Sequence, residues 1–276
     1  MINLVVALAT ESRPLIEHFR LSEDRSAVAF RVYRGDGMRL VVTGVGRVPC
    51  AGGVAALGEG AAPATGMSAW LNIGIAGHAS HELGAGVHAV SIREAATGRC
   101  WYPPQVLRLP GHGESLCTVD TPEVAYTEPY VYDMEASAFY ATAVRYATGE
   151  LVQVYKIISD NRDNGVAGVG KYAVREALDA HLPAIEEMVS GLSALGDELN
   201  TPRRGLEDFE RMLTRWYFTV TQQHQLRELL RRWEALYGDA PVWDADLNRC
   251  PSAKSVLAEI RTRLDAVYRR PGQDGG

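Results

Sequence analysis

Unbroken apolar runs recur along the first two-thirds of the chain. The first, residues 4–9 (LVVALA), is typical of a strand that is covered on both faces of a sheet. Two alternating runs flank Gly35-Asp36-Gly37 and predict a hairpin, because glycine adopts the positive φ that a tight turn needs. Further strands are predicted at residues 70–75, 88–92 and 151–158.

Between these runs the apolar residues follow helical spacing. Helices are predicted from about residue 13 and over residues 49–57, 134–146 and 171–195. Residues 100–129 are rich in proline and glycine and are predicted to be a loop, as are residues 161–170. Strands that alternate with helices indicate a layered α/β domain.

The pattern changes near residue 196. Residues 196–205 (GDELNTPRRG) are predicted to be a linker, and three helically spaced apolar stretches follow with almost no strand signal. We therefore predict two regions, an α/β domain over residues 1–195 and a linker with a helical extension over residues 196–276. The large apolar side chains of the extension are too many to leave in water.

Composition narrows the class of protein. Apolar residues make up 46% and charged residues 22% of the 276 positions, which is typical of a globular protein. No apolar run reaches the roughly 18 residues of a membrane helix, and the first residues lack the basic start of a signal peptide, so we expect a cytoplasmic protein. The net charge of −6 argues against nucleic-acid binding. Four scattered cysteines without a CxxC pair argue against a zinc site or a disulfide framework.

Three acidic residues lie at or beside predicted strand ends: Glu11, Glu135 and Asp160. Ligands of α/β sheets bind beyond the carboxyl ends of strands, so these residues are candidates for chemistry. Each one alone is more often explained as a helix cap. The turn Gly44-Val45-Gly46 matches only part of the glycine-rich motifs that bind dinucleotides or phosphates, so by itself it does not indicate a ligand.

Three longer motifs carry a family resemblance: VVTGVGRVPCAGGVAAL (41–57), LNIGIAGHASHELGAGVHAVS (71–91) and VYDMEASAFYATAVRYATGELVQVYKIISDNRDN (131–164). In this order they resemble the nucleoside phosphorylase and nucleosidase superfamily, in particular its methylthioadenosine/S-adenosylhomocysteine nucleosidase branch. The resemblance covers residues 1–195. It implies a three-layer α/β/α domain around a mixed central sheet, followed here by the small helical extension.

The resemblance also implies site residues. Asp160 matches the general acid that protonates N7 of the leaving purine, and Glu135 matches the glutamate that binds the ribose hydroxyls. Met134 matches the apolar residue against the sugar. Glu11 falls near the glutamate that activates water, although Ser12 can be aligned there instead.

On the base side, the resemblance places Ser159 together with Gly74, Ala76 and Gly77. It implies a small-molecule nucleoside as ligand and a homo-oligomer, which we expect to be a dimer. It implies no cofactor and no metal, and we expect no nucleic-acid partner and no membrane.

Three activities stay open at this point. The first is hydrolysis of the N-glycosidic bond of a purine nucleoside or a 5′-substituted relative, and the second is phosphorolysis with phosphate as co-substrate. Phosphorolysis needs a cationic or amide cradle for phosphate, for which Arg47 is the candidate, while Glu11 would repel the anion. The third is a catalytically weak nucleoside-binding protein, since residues 93–133 are shorter than the matching family segment. We expect the helical extension to pack beside that stretch.

Overall fold

The chain divides into two units, Met1–Asn200 and Thr201–Gly276. The computed structural model describes residues 1–59, 68–165, 170–200, 204–238 and 240–268. The last helix of the first unit, α4 (Lys171–Asn200), continues five residues past its predicted end. Residues 196–200 of the predicted linker are therefore helical.

The first unit is built on one ten-stranded mixed sheet. Its strands are β1 (Ile2–Val6), β2 (Ser22–Glu23), β3 (Arg31–Gly35), β4 (Met38–Val42), β5 (Ala69–Gly77), β6 (Gly86–Glu94), β7 (Cys100–Trp101), β8 (His112–Thr118), β9 (Val131–Asp133) and β10 (Val152–Asp160). The predicted hairpin is confirmed: β3 and β4 pair antiparallel around Asp36-Gly37, and Gly37 has a φ of 65°.

The pairing of the strands brings their ends to one place. β4, β1, β5 and β10 lie side by side in parallel. From β10 the sheet continues through β6, β8 and β9, and β9 returns to β5 through the single pair Gly77–Tyr132. Strands β5, β10, β6, β8 and β9 thus form a closed ring, and the carboxyl ends of β5, β9 and β10 lie around one point of it.

Helices cover both faces of the sheet and complete three layers. α1 (Ala9–His18) packs on α4, whereas α2 (Arg47–Glu59) packs on α3 (Ala136–Ala143). Apolar side chains from both layers and from the sheet form one core. The predicted three-layer α/β/α fold is confirmed.

Two expectations for the first unit are wrong. The first helix begins at Ala9 rather than near residue 13, because Leu8 is extended (φ −110°, ψ 145°) and caps it, which puts Glu11 in the first turn. Residues 100–129 are not all loop, since they contain β7 and β8. The sequence did not predict β8, because its first four residues are polar or glycine and are exposed or half-buried. Only its last three residues are buried.

The second unit is helical, as its sequence predicts. Its helices are α5 (Arg204–Arg215), α6 (Val220–Tyr237), α7 (Ala245–Asn248) and α8 (Ala253–Tyr268). Phe209, Trp216, Leu229 and Leu230 are buried in a separate apolar core of this unit, with Trp233 packed against it. The large apolar groups of the extension therefore cover one another.

Across the described parts of both units, no helix has the length and apolar character to cross a membrane.

Candidate active site

A cavity of about 240 Å³ lies at the carboxyl ends of β1, β5 and β10. The segment after β8 and the stretch from β9 into α3 form its remaining walls. Seven of the eight predicted site residues line it, namely Glu11, Ala76, Gly77, Met134, Glu135, Ser159 and Asp160. Positions that are far apart in the sequence therefore meet in one concave site, which is the usual form of a small-molecule pocket.

Gly74 is the predicted residue that does not line the cavity. A Cβ atom at this position would lie 2.9 Å from Oε1 of Glu11 and 3.5 Å from Nζ of Lys156. Gly74 therefore leaves room for those side chains instead of facing a base. Ser12, the alternative to Glu11, donates to the carbonyl of Ala9 within its own helix and lies outside the lining.

Glu11 is fixed by the backbone around it. Its Oε2 accepts hydrogen bonds from the N–H groups of Ala7 (3.0 Å) and Leu8 (2.8 Å), and its Oε1 accepts one from Ile75 (3.1 Å). The contact with Leu8 is half of a capping box, in which a glutamate in the first turn satisfies the N-cap amide. Only 2% of Glu11 is exposed, and this burial raises the pKa of its carboxyl, although Lys156 and the three amides oppose the shift.

Glu135 lies at the N-terminus of α3, facing the glycine turn. Its Oε1 accepts a hydrogen bond from the N–H of Gly46 (2.8 Å). Gly46 has a φ of 104°, a backbone conformation that residues other than glycine rarely adopt. The turn that was uninformative in the sequence therefore holds a cavity carboxylate. Burial is the main cause that raises the pKa of Glu135 to about 7, with Asp133 adding repulsion and Lys156 opposing it.

Two residues that the sequence reasoning missed complete this part of the site. Lys156, 1% exposed, lies with its Nζ 3.0 Å from Oδ2 of Asp133 and 3.9 Å from Oε2 of Glu135. Asp133 also accepts from the hydroxyl of Thr118 (2.7 Å) and from the N–H of Ala136 (2.7 Å). These carboxylates outweigh the cost of burying the ammonium and raise the pKa of Lys156 to about 12.

We call Glu11, Asp133 and Glu135, which line the cavity, together with Lys156, which pairs with Asp133 and Glu135 from outside the lining, the lysine end. A signal for Lys156 was present, because it is one of three lysines in the chain and stands inside the apolar strand LVQVYKII. A charge inside a strand that is covered on both faces needs a buried partner. The sequence alone did not indicate which residue that partner is.

The other part of the cavity surrounds Asp160, at the end of β10. The hydroxyl of Ser159 donates to Oδ1 of Asp160 (2.6 Å), and the hydroxyl of Tyr126 donates to Oδ2. A Cβ atom on Gly77 would lie 2.5 Å from Oδ2 of Asp160 and 2.7 Å from the Tyr126 hydroxyl, so this approach requires glycine. We call Asp160, Ser159 and Tyr126 the tyrosine end.

The charged side chains in the described lining of the cavity are all acidic. Glu11, Glu123, Asp133, Glu135 and Asp160 line it, and among the described residues no lysine or arginine does. Arg47, the candidate for a phosphate cradle, is instead paired with Glu94 and with Asp120 (2.9 Å). The lining therefore opposes an anionic co-substrate.

The donor set also fails to make a metal site. In the described part of the chain, no group of three or more His, Cys, Asp or Glu side chains is arranged to hold a metal ion.

Comparison with protein-family models and with curated protein sequences finds no match for this chain. Comparison with solved structures does find matches. The S. pneumoniae 5′-methylthioadenosine/S-adenosylhomocysteine nucleosidase, solved with a transition-state inhibitor, is 20% identical with a TM-score of 0.52, over 70% of this chain and 99% of the other.

Two further structures match at similar levels. An Arabidopsis thaliana 5′-methylthioadenosine nucleosidase is 16% identical with a TM-score of 0.55, over 69% of this chain and 95% of its own. A Helicobacter pylori futalosine hydrolase mutant is 14% identical with a TM-score of 0.54, over 68% and 98%. These three structures share their fold with this chain.

Proposed function

We propose that this protein hydrolyses the N-glycosidic bond of a purine nucleoside or a 5′-substituted purine nucleoside. One observation carries the proposal: Glu11, Glu135 and Asp160, which are far apart in the sequence, line a single cavity. The fold agrees with it, since the matching structures include nucleosidases and a futalosine hydrolase.

At the tyrosine end, Asp160 acts as the general acid. When the bond between C1′ and the base breaks, its electron pair moves onto the base, and a proton from the Asp160 carboxyl to N7 neutralises that charge. Asp160 is 6% exposed, so the proton is transferred where little bulk water competes for it.

At the lysine end, the carboxylates act on the ribosyl group. Glu135 accepts hydrogen bonds from the ribose hydroxyls, and its charge stabilises the positive ribosyl group as the bond breaks. Glu11 removes a proton from a water molecule, whose oxygen then bonds to C1′. The raised pKa of Glu11 makes its carboxylate a stronger base for that step.

The same cavity favours water over phosphate as the nucleophile. Phosphate would face five carboxylate side chains without a lysine or arginine in the described lining, and Arg47 is already paired with two carboxylates. Phosphate sites in proteins rely on arginine, lysine or helix N-termini. Phosphorolysis is therefore the weaker alternative.

The experiment is a panel of adenosine, inosine, methylthioadenosine and futalosine-type nucleosides, each incubated with the protein with and without inorganic phosphate. We expect free base and reducing sugar in the absence of phosphate. If the base is released only when phosphate is present, the protein is a phosphorylase rather than a hydrolase. Tight binding of a nucleoside by calorimetry without any release would instead support the third activity, a nucleoside-binding protein.

The matched control for the panel is Asp163→Asn beside Asp160→Asn. Asp163 is exposed in the loop after β10 and lies outside the cavity lining. If Asp160→Asn loses base release while Asp163→Asn keeps it, the activity belongs to the cavity rather than to a contaminating enzyme.

A further inference from the structure

Tyr126 is held at each of its three polar groups by a different side chain. Its hydroxyl donates to Oδ2 of Asp160, its N–H donates to Oε1 of Glu123 (3.2 Å), and its carbonyl accepts from the guanidinium of Arg162. The side chain is 1% exposed.

The backbone of Tyr126 adds to this picture. Its φ is 47°, a left-handed conformation that is strained for a bulky residue and persists where the surroundings enforce it. Gly77 supplies the space for the ring edge, since a Cβ there would lie 2.7 Å from the hydroxyl oxygen and 3.0 Å from a ring carbon. The conformation thus delivers the hydroxyl to Asp160.

The two hydroxyls on Asp160 differ in what else they can do. The Ser159 hydroxyl has a second acceptor, the carbonyl of Ala76 at 3.4 Å. When Oδ1 of Asp160 carries a proton, the Ser159 hydroxyl can donate to Ala76, and its oxygen can accept a hydrogen bond from that proton. The Tyr126 hydroxyl has no second acceptor among the hydrogen bonds of the described residues. A proton is therefore accommodated on Oδ1 without disturbing Tyr126.

We propose that Tyr126 is a positioning residue for Asp160: its hydroxyl occupies Oδ2, so that the proton given to the leaving base is carried on Oδ1, beside Ser159. The inference rests on the proposed function, because it assigns the oxygen from which the general acid acts. In the step itself the O–H bond at Oδ1 breaks, the base gains the proton, and Oδ2 keeps its hydrogen bond from Tyr126 throughout.

The charged and titratable groups around this pair come from four elements. Glu123 precedes Tyr126, Arg162 follows Asp160, His78 donates its N–H to the Asp160 carbonyl (3.0 Å), and Tyr132 on β9 packs edge-on against Tyr126 at 6.0 Å. Burial lowers the pKa of His78 and raises those of Tyr126 and Tyr132, so the two phenols stay protonated and Tyr126 stays a donor.

The test is Tyr126→Phe, which keeps the ring and removes the hydroxyl. A hydrogen bond from a hydroxyl favours the charged form of a carboxyl group, so its loss disfavours the carboxylate of Asp160. We expect the alkaline limb of the kcat profile to move up by about one to two pH units. We also expect kcat at the optimum to fall at least about tenfold, while KM changes less. The control is Tyr130→Phe, whose hydroxyl contacts Arg93 outside the cavity.

A second variant, Tyr126→3-fluorotyrosine, protects the test against a folding defect. Fluorine makes the phenol a stronger donor while the hydroxyl remains, so the alkaline limb is expected to move to lower pH. Opposite shifts in the two variants are a result that a purely structural role for Tyr126 would not produce. An unmoved limb in both variants would overturn the inference.

A readout that needs no turnover separates this inference from the proposed function. In protein labelled with ¹³C at aspartate carboxyls, the Asp160 signal is assigned by its absence in Asp160→Asn. Its chemical shift is expected to change in Tyr126→Phe, where the hydrogen bond on Oδ2 is lost, and to stay in place in Tyr130→Phe. An inactive wild-type protein would refute the proposed function, whereas an equal chemical shift in wild type and Tyr126→Phe would refute the role of Tyr126.

Discussion

The lysine end and the tyrosine end hold buried carboxylates by different means. At the lysine end, a fully buried ammonium neutralises Asp133 at 3.0 Å and approaches Glu135 at 3.9 Å. At the tyrosine end, Asp160 is held by two neutral hydroxyls, from Ser159 and Tyr126. Both ends are carried by the same strand, because Lys156 and Asp160 are four residues apart on β10, about 13 Å along a strand.

The difference matches the two tasks of the proposed reaction. An ammonium whose pKa lies near 12 keeps its charge throughout the working pH range, so Lys156 is a constant positive charge beside the carboxylates that would act on the ribosyl group and the water molecule. A hydroxyl can turn and exchange donor and acceptor roles, which suits a group that gains and loses a proton. A permanent cation therefore holds the carboxylates at one end of the site, whereas neutral hydroxyls hold Asp160 at the other.

The largest expected effect concerns the tyrosine end. Asp160→Asn keeps the shape of the side chain and removes the transferable proton. Turnover is expected to fall by a factor on the order of 10²–10⁴, the usual contribution of a general acid. The measurement is kcat for the best substrate of the panel at several pH values, beside Asp163→Asn. Near-wild-type turnover in a folded Asp160→Asn protein would remove proton transfer from this end.

The next effect concerns the lysine end and is one of stability. Lys156→Met leaves buried carboxylates without their cation, and breaking such a pair costs about 3–5 kcal/mol of unfolding free energy. The deficit is expected to be larger at pH 8 than at pH 5.5, where the carboxylates can take up protons. Chemical denaturation at both pH values measures it, with the exposed Lys254→Met as control. A deficit that is equal at both pH values would show that the carboxylates beside Lys156 do not take up protons in this range.

A smaller effect is expected for Glu135→Gln. The pKa of Glu135 is raised from 4.5 to about 7 in the folded protein, so the unfolded chain ionises first as the pH rises and the folded protein loses stability between these values. Glutamine keeps the acceptor for Gly46 and removes this loss. We therefore expect the variant to gain about 1–3 kcal/mol over the wild type between pH 5 and pH 8.

The stability of Glu135→Gln and of the wild type is compared by their denaturant midpoints across that pH range. Glu128→Gln, which is exposed and lies outside the cavity, serves as the control. A stability difference between Glu135→Gln and the wild type that does not change with pH would show that Glu135 is already ionised at acid pH in the fold.

The smallest expected effect tests the different roles of the Ser159 and Tyr126 hydroxyls at the tyrosine end. Ser159→Ala removes the hydrogen bond on Oδ1 and leaves Tyr126 on Oδ2. We expect turnover to fall about fivefold, which corresponds to about 1 kcal/mol for one hydrogen bond. Ser91→Ala, whose hydroxyl bonds Ser115 outside the cavity, is the control for steady-state kinetics. A larger loss than in Tyr126→Phe would reverse the ranking of the two hydroxyls.

The layers of the fold follow from local patterns and were predictable. Apolar runs marked β1, β5 and β10, and the helical periods between them marked the covering helices, because burial on both faces leaves a clear trace in the sequence. β8 left no such trace, since its buried part is confined to Leu116, Cys117 and Thr118. Its existence depends on strands β6 and β9 on either side, which a local pattern does not contain.

The candidate site was predictable where motifs mark strand ends and was missed where tertiary contacts decide. Glu11, Glu135 and Asp160 stand next to recognisable strands and motifs. Tyr126 stands in a segment without a pattern, and its contact with Asp160 depends on a positive φ and on the absence of a side chain at Gly77. Lys156 was visible as an anomaly, yet its pairing with Asp133 is a product of the folded chain.

The ring of strands β5, β10, β6, β8 and β9 has one weak joint. β5 and β9 are joined by the single pair Gly77–Tyr132, whereas the other neighbours in the ring share three pairs or more. Local opening is least costly where the fewest contacts must break, so amide hydrogens at this joint should exchange with solvent sooner than those along β5 and β10. Because Gly77 also borders Asp160, local opening of the ring is centred beside the proposed general acid, and we expect a bound nucleoside to slow that exchange.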